Sequence, residues 1–179
     1  MPDQHHLPPD EEKARYDLHE NSPDDPDYRA FLSQLFDPML DFLDGHEQGL
    51  DFGSGPGPTL SVMFEEKGFS MNIFDVFYDN DSTVFDDSYH FITATEVFEH
   101  LSEPGKELSR LWQCLNPGGH LGIMTKRLPD DKKAFEEWHY RRDDTHITFY
   151  ADETFEWIAK AYGAKIVHKA PRVIILQKV

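Results

Sequence analysis

The 179-residue sequence has a single cysteine, Cys114, which rules out an intrachain disulfide and suits a reducing cytoplasm. It lacks any apolar run approaching the length of a bilayer span. Its N-terminus lacks a cationic stretch followed by an apolar one, so neither a membrane segment nor a signal peptide is expected. Cations are scarce: 17 Lys and Arg stand against 34 Asp and Glu, a formal net charge of −17. That balance repels nucleic acid phosphates and anionic membrane surfaces, so neither is expected as a partner. Ten histidines are present, but none falls in H-E-x-x-H spacing and a lone cysteine builds no thiolate site, so no metal is expected.

Aromatic residues are plentiful at 13%, and the length suits one folded domain with a real core. Residues 1–26 are rich in Pro, Asp and Glu and read as loop. Residues 28–43 place Tyr28, Phe31, Leu32, Leu35, Phe36, Met39, Leu40 and Leu43 at helical spacing. Pro38 predicts a break into two short helices, with Asp37 capping the second. Strands are expected at 49–53, 71–77, 90–98 and 120–125, with helices at 58–68 and 103–115 between them. NPGG at 116–119 reads as a turn and 126–150 as irregular. A helix at 151–163 leads to a hairpin around Pro171. Alternating strands and helices predict a doubly wound, mostly parallel α/β sheet with an antiparallel C-terminal hairpin. Residues 1–45 read as an N-terminal loop and helical extension and 46–179 as the main domain.

LDFGSGPGPTL at 50–60 follows the first strand. Glycines in such a turn let the backbone approach a ligand at the carboxyl ends of the strands. Gly53, Gly55 and Gly57 give G-x-G-x-G, and Pro58 stands where a dinucleotide fingerprint needs its third glycine. No phosphate-loop lysine follows. Asp51 would repel a pyrophosphate and suits a cationic group. Asp75 ends the next strand, 18 residues after Gly57, where a carboxylate can accept ribose hydroxyls. The expected ligand has a ribose, a positive charge and no phosphate over the loop.

This D-x-G-x-G-x-G stretch with its following acid resembles class I S-adenosylmethionine-dependent methyltransferases. FITATEVFEHL (91–101) and LNPGGHLGIMT (115–125) look like the fourth-strand motif and the fifth strand of the subgroup that includes ubiquinone-biosynthesis methyltransferases. WHYRRDDTHITFY (138–150) is similar to the segment after the fifth strand in small bacterial members. The resemblance runs from about Leu50 to the end and implies a Rossmann-like sheet of order 3-2-1-4-5-7-6. The stretch from Asp75 to His90 is short, so the third strand is expected to be short or absent. The resemblance implies S-adenosylmethionine as cofactor, S-adenosylhomocysteine as product and a small or medium-sized molecule as methyl acceptor. It implies that Asp51, Gly53, Ser54, Gly55 and Gly57 line the methionine half. Asp75 would hold the ribose, Val76 and Phe77 would lie against the adenine or ribose, and Thr95 and Glu96 would border the cofactor. An acid for the adenine amino group is sought among Asp79, Asp81, Asp86 and Asp87.

Methyl transfer from a sulfonium is an in-line displacement, so the protein mainly supplies positioning, and a base only where the nucleophile must lose a proton. His139, Asp144 and His146 are the catalytic candidates, His146 foremost as base, because imidazole titrates near neutral pH. For Glu99 and His100 a capping or surface role is at least as good a reading as catalysis. Tyr16, His19 and Tyr28 are candidates for a lid, against ordinary packing. Two other functions fit less of the sequence: a nicotinamide-dependent oxidoreductase, and a non-catalytic module that binds the sulfonium cofactor or its product.

Overall fold

The two faces of one central sheet organise the chain. The computed structural model describes residues 6–18, 21–129 and 131–179; His19 lies outside them. Strands β1 (Gln48–Phe52), β2 (Ser70–Phe74), β3 (Tyr89–Thr95), β4 (Leu115–Met124), β5 (Ala164–Lys169) and β6 (Val173–Lys178) form a sheet of order β2-β1-β3-β4-β6-β5. The first four are parallel, and β6 runs antiparallel to both β4 and β5. This is the expected order without its third strand. The residues between β2 and β3 form a tight turn, where Asp75 and Asp79 exchange backbone hydrogen bonds, and a 3-10 turn at Ser82–Asp86.

Side-chain alternation along the strands makes both faces apolar. On one face Leu50, Ile92, Leu121, Ile123, Ile174 and Leu176 meet helix α4 (Pro104–Cys114) and helix α6 (Asp152–Tyr162). Leu108, Leu111 and Trp112 form the buried stripe of α4; Phe155, Ile158 and Ala159 form that of α6. On the other face Phe91, Met124, Val173 and Ile175 meet helix α2 (Pro26–Leu40) and helix α3 (Thr59–Glu65). Among the described residues no helix is long and apolar enough to cross a membrane.

Four local expectations are corrected. Helix α2 is continuous through Pro38. The proline falls so near the C-terminal end that it costs little more than one intrahelical bond, and Leu32, Leu35, Phe36 and Met39 bury one unbroken stripe. Asp25, not Asp37, caps it, accepting from the Asp27 and Tyr28 amides. The NPGG turn is absorbed into β4 as a bulge: Leu115 pairs with Tyr89 and His120 with Phe91, so residues 116–119 face only His90. The leader holds a helix, α1 (Pro9–Tyr16), with Pro9 opening it, acids in its first turn and Lys13 and Arg15 in its last. No side chain of α1 is buried, so no apolar periodicity announces it.

Leu111 has no exposed surface and sits in the core between α4 and the sheet, whereas Trp157 on α6 is 65% exposed. Leu111→Ala should lower stability by about 2–5 kcal/mol and Trp157→Ala by no more than about 0.5 kcal/mol, measured by urea unfolding. Equal costs would contradict this assignment of the core.

Candidate functional site

A cavity of about 1180 Å³ opens at the carboxyl ends of the parallel strands. Gly53, Ser54 and Gly55 line it after β1, Asp75, Val76 and Phe77 after β2, and Thr95 and Glu96 after β3. Tyr140, Asp144 and His146 close it from the loop after β4. The sequence therefore brings most of its candidate residues together, and the reason is topological: every parallel strand ends on this side of the sheet.

The glycine loop is tied down from two directions. The Gly53 and Ser54 amides donate to the Phe74 carbonyl at 2.7 and 3.2 Å. The Gly55 amide donates to Asp75 Oδ2 at 2.9 Å. Asp75 Oδ1 accepts from the amides of Phe77 at 2.9 Å and Tyr78 at 3.2 Å. Carboxylate oxygens take about two hydrogen bonds each, so Oδ1 is filled and Oδ2 keeps room for one further donor. Gly53 and Gly55 both have positive φ, at 78° and 66°. A Cβ on Gly53 would collide with Val97, whereas one on Gly55 would have only Asn21 Nδ2 nearby, at 3.9 Å. Gly55 is thus where the loop backbone lies open to a ligand. Ser54 Oγ is buried beside it with no hydrogen-bond partner.

Asp51 and Gly57 do not line the cavity. Asp51 is buried beneath the loop and accepts from Thr93 Oγ1 at 2.8 Å and Ser61 Oγ at 3.3 Å. The β1–β3 register sets Thr93 beside it. Gly57 makes room for the leader: a Cβ there would collide with the Asn21 carbonyl oxygen. Asp79, Asp81, Asp86 and Asp87 are likewise absent from the lining, while Asn80 and Ser82 belong to it. Asp81 is used locally, capping the 3-10 turn through the Thr83 amide.

The leader covers the cavity. Tyr16 packs on Phe77 at 5.7 Å and edge-on to His100 at 5.4 Å, and its hydroxyl donates to Glu12. Tyr78 donates to Asp17 at 2.7 Å, anchoring the end of α1. Tyr28 also lines the cavity. Arg15 reaches Asp144 at 3.7 Å, both well exposed at the rim.

The wall beyond Glu96 is the part least visible in the sequence. Glu96 is the one described non-glycine residue with positive φ, 52°, a strained conformation of the kind that persists where surroundings enforce it. Its carboxylate faces Arg172 at 3.9 Å and lies 3.3 Å from the Tyr140 hydroxyl. Burial raises its pKa, opposed by Arg172 and Lys126. Glu99, expected as a cap or surface group, has no exposed surface. It accepts a short hydrogen bond from Tyr140, and burial, reinforced by the Glu96 charge, pushes its pKa up to about 7. The loop after β4 is laced to this turn: the Ile147 and Thr148 amides both donate to the Glu99 carbonyl, at 2.9 and 3.0 Å. That lacing brings His146 to His100, ring centroids 4.8 Å apart. One carboxylate oxygen of Glu99 and one nitrogen from each of these rings lie within 4.8 Å of one another. The expectation of no metal rested on sequence spacing, which is blind to a meeting of two segments 45 residues apart.

Of the catalytic candidates, His146 is buried in the wall, and burial holds its pKa below the usual imidazole value. Asp144 is at the rim. His139 stands outside the lining, bonded through Nε2 to Lys126 Nζ at 2.7 Å.

The family described as "Methyltransferase domain" matches residues 25–169. No sequence among the curated proteins matches. Among solved structures, a SAM-dependent methyltransferase from Archaeoglobus fulgidus aligns with TM-score 0.61 at 14% identity, over 84% of this chain and 94% of that one. The 1,6-didemethyltoxoflavin-N1-methyltransferase of Burkholderia thailandensis aligns with TM-score 0.64 at 13% identity, over 83% and 78%. Magnesium protoporphyrin IX methyltransferase from Synechocystis PCC 6803 aligns with TM-score 0.61 at 13% identity, over 85% and 80%.

Burial holds the Asp51 carboxyl at a pKa of about 6, up from 3.8, despite its two hydroxyl donors. The folded protein therefore keeps this proton more tightly than the unfolded chain. The stabilisation is complete below pH 3.8 and is lost as pH rises through 6. Asp51→Asn should be more stable than the parent, with the difference widening by about 1–2 kcal/mol between pH 5 and 8. Urea unfolding at both pH values measures it, and a pH-independent difference would be the contrary result.

Proposed function

The chain belongs to the methyltransferase-domain family, and from that membership we propose that it transfers a methyl group from S-adenosylmethionine to a small or medium-sized molecule, releasing S-adenosylhomocysteine. The observation that carries the reading is the corner between Gly55 and Asp75. It offers open loop backbone, an orphaned Ser54 hydroxyl and one unfilled carboxylate position side by side. Two of the solved relatives hold S-adenosylhomocysteine or S-adenosylmethionine.

In this reading Gly53, Ser54 and Gly55 face the methionine half, and Asp75 Oδ2 takes one ribose hydroxyl. Its Oδ1 is committed to the Phe77 and Tyr78 amides, so gripping both hydroxyls requires that turn to open. Val76 and Phe77 flank the ribose or adenine, and Asn80 and Ser82 supply the polar edge sought among the acids. Thr95 and Glu96 border the reactive end. Asp51 acts from beneath: ionised above about pH 6, it favours the cofactor's positive charge without touching it. Gly57 serves by admitting the leader, so the described residues ahead of α2 act as cover, while α2 packs on the sheet as part of the catalytic domain.

The cavity exceeds the usual ~300–1000 Å³ of a small-molecule site, which leaves room for an acceptor beside the cofactor. Tyr28, Phe31, Tyr140, Lys126, His146 and Arg172 line the remaining side. The toxoflavin-precursor methyltransferase has its small acceptor bound next to S-adenosylhomocysteine, which supports a small acceptor for this chain. The transfer itself breaks the sulfonium S–CH3 bond as the acceptor forms its own bond to the methyl carbon. The protein's contribution is alignment and exclusion of water.

Thermal-shift titrations should show stabilisation by S-adenosylmethionine and S-adenosylhomocysteine, and none by NAD or ATP. Asp75→Ala should weaken S-adenosylhomocysteine binding about 10- to 100-fold, the worth of a hydrogen bond to a charged group. Stabilisation by NAD alone would sink the proposal. Release of S-adenosylhomocysteine on adding candidate acceptors separates an enzyme from a binding module; tight binding without turnover across a broad acceptor panel favours the module.

A further inference from the structure

Glu99, His100 and His146 bring one buried carboxyl oxygen and two ring nitrogens together from separate segments. We propose that these three side chains bind a divalent first-row transition-metal ion, such as Zn2+, Mn2+ or Co2+, which holds and activates an oxygen of the methyl acceptor. The role assigned to the ion rests on the methyltransferase reading; the binding site does not.

Four observations support the site. Ligand atoms of all three residues lie within 4.8 Å of one another, so small side-chain rotations bring them to the ~2.0–2.2 Å bonds of a shared ion. Glu99 is fully buried and its Oε2 has no hydrogen-bond partner, while Oε1 takes the Tyr140 hydroxyl. A buried carboxylate oxygen left bare is costly, and a cation removes that cost. Both rings are anchored by main chain: His100 Nδ1 lies 3.0 Å from the Thr145 carbonyl, and His146 Nδ1 lies 2.6 Å from the Tyr140 carbonyl. A carbonyl only accepts, so each Nδ1 donates its hydrogen there, and this fixes the orientation of each ring. Metal-ligating histidines are commonly oriented in this way. Finally, His100 and His146 line the cavity while Glu99 stands behind them, so the coordination positions left open by three protein ligands face the acceptor side.

The donor set selects the ion. Two imidazoles and one carboxylate suit zinc, manganese, cobalt or ferrous iron better than magnesium or calcium, which prefer all-oxygen shells. Three protein ligands also match catalytic sites, which keep a position for an exchangeable oxygen. An acceptor hydroxyl bound there loses its proton more readily, as metal-bound water does. The proton passes to solvent water. The oxygen lone pair then bonds the methyl carbon, the S–CH3 electron pair returns to sulfur, and the sulfonium becomes the neutral thioether of S-adenosylhomocysteine. In this arrangement His146 holds the metal instead of accepting the proton itself.

The test uses the full chain, freed of metal with EDTA and titrated with Co2+ while its visible d–d absorption is followed. One ion should bind per chain. His100→Ala and His146→Ala should each weaken binding by at least ~100-fold, since even outer-shell losses cost 10- to 100-fold, while His46→Ala, on the exposed surface, should leave it unchanged. If the alanine variants melt early, the isosteric Glu99→Gln, which removes the charge and keeps the shape, should show the same loss. Folded parent protein without a stoichiometric Co2+ band, or undiminished binding by the His100→Ala/His146→Ala double variant, overturns the site. S-adenosylhomocysteine affinity measured on the same samples keeps the two readings apart: intact cofactor binding without metal defeats only this one.

Discussion

The bond from the Gly55 amide to Asp75 Oδ2 is the constraint on which the site depends. It spans the ends of β1 and β2 and fixes the glycine loop against the turn that follows β2. The Phe74 carbonyl holds the same loop through Gly53 and Ser54, so both sides of the nucleoside corner move as one piece. The positive φ values of Gly53 and Gly55 are what make this closure geometrically possible. Asp75 contributes twice, as the structural acceptor that shapes the loop and as the group left with one lone-pair direction for a ligand.

The same logic of paired segments governs the far wall. There the Glu99 carbonyl takes two amides of the loop after β4, and the Tyr140 hydroxyl reaches both Glu96 and Glu99. Burying Glu99 beside the half-buried Glu96 works against folding, and the raised pKa values of both acids, due first to loss of water around them, express that cost. Arg172, from the turn of the terminal hairpin, and Lys126, from the end of β4, offset part of it. A chain with a net charge of −17 has thus gathered several of its cations around one cavity. Strain at Glu96, buried acids and a leader folded across the opening are features that stability alone does not favour, and they coincide at one place.

What was legible in the sequence follows from how local each signal is. Strands and the α4 and α6 stripes depend on periodicity within a few residues, and they were readable. So was the absence of a third strand, because the fourteen residues between Asp75 and His90, rich in Asp and Ser, are too short a connection to hold one. Pro38 misled because its cost depends on distance from the helix end, which only the buried stripe of α2 decides. Helix α1 was missed because it buries no side chain; its charge pattern and opening proline were the available signal. That Gly55 and Asp75 line the cavity was readable, because each follows directly on the end of a parallel strand. Asp51 and Gly57 stand outside the cavity lining: motif spacing identifies the loop but not which of its members face inward. Glu99 and His146 were individually in view, yet their meeting depends on tertiary hydrogen bonds between segments far apart in the chain.

The central claim is that one cavity holds a sulfonium cofactor at the Gly55–Asp75 corner and an acceptor against the Tyr140–His146 wall. A crystal structure grown with S-adenosylhomocysteine tests it most directly. The account predicts a ribose hydroxyl on Asp75 Oδ2, the methionine half along Gly53–Gly55, and the thioether sulfur turned toward Tyr140 and His146. A cofactor bound outside this cavity, or inside it with sulfur turned away from that wall, would contradict the account.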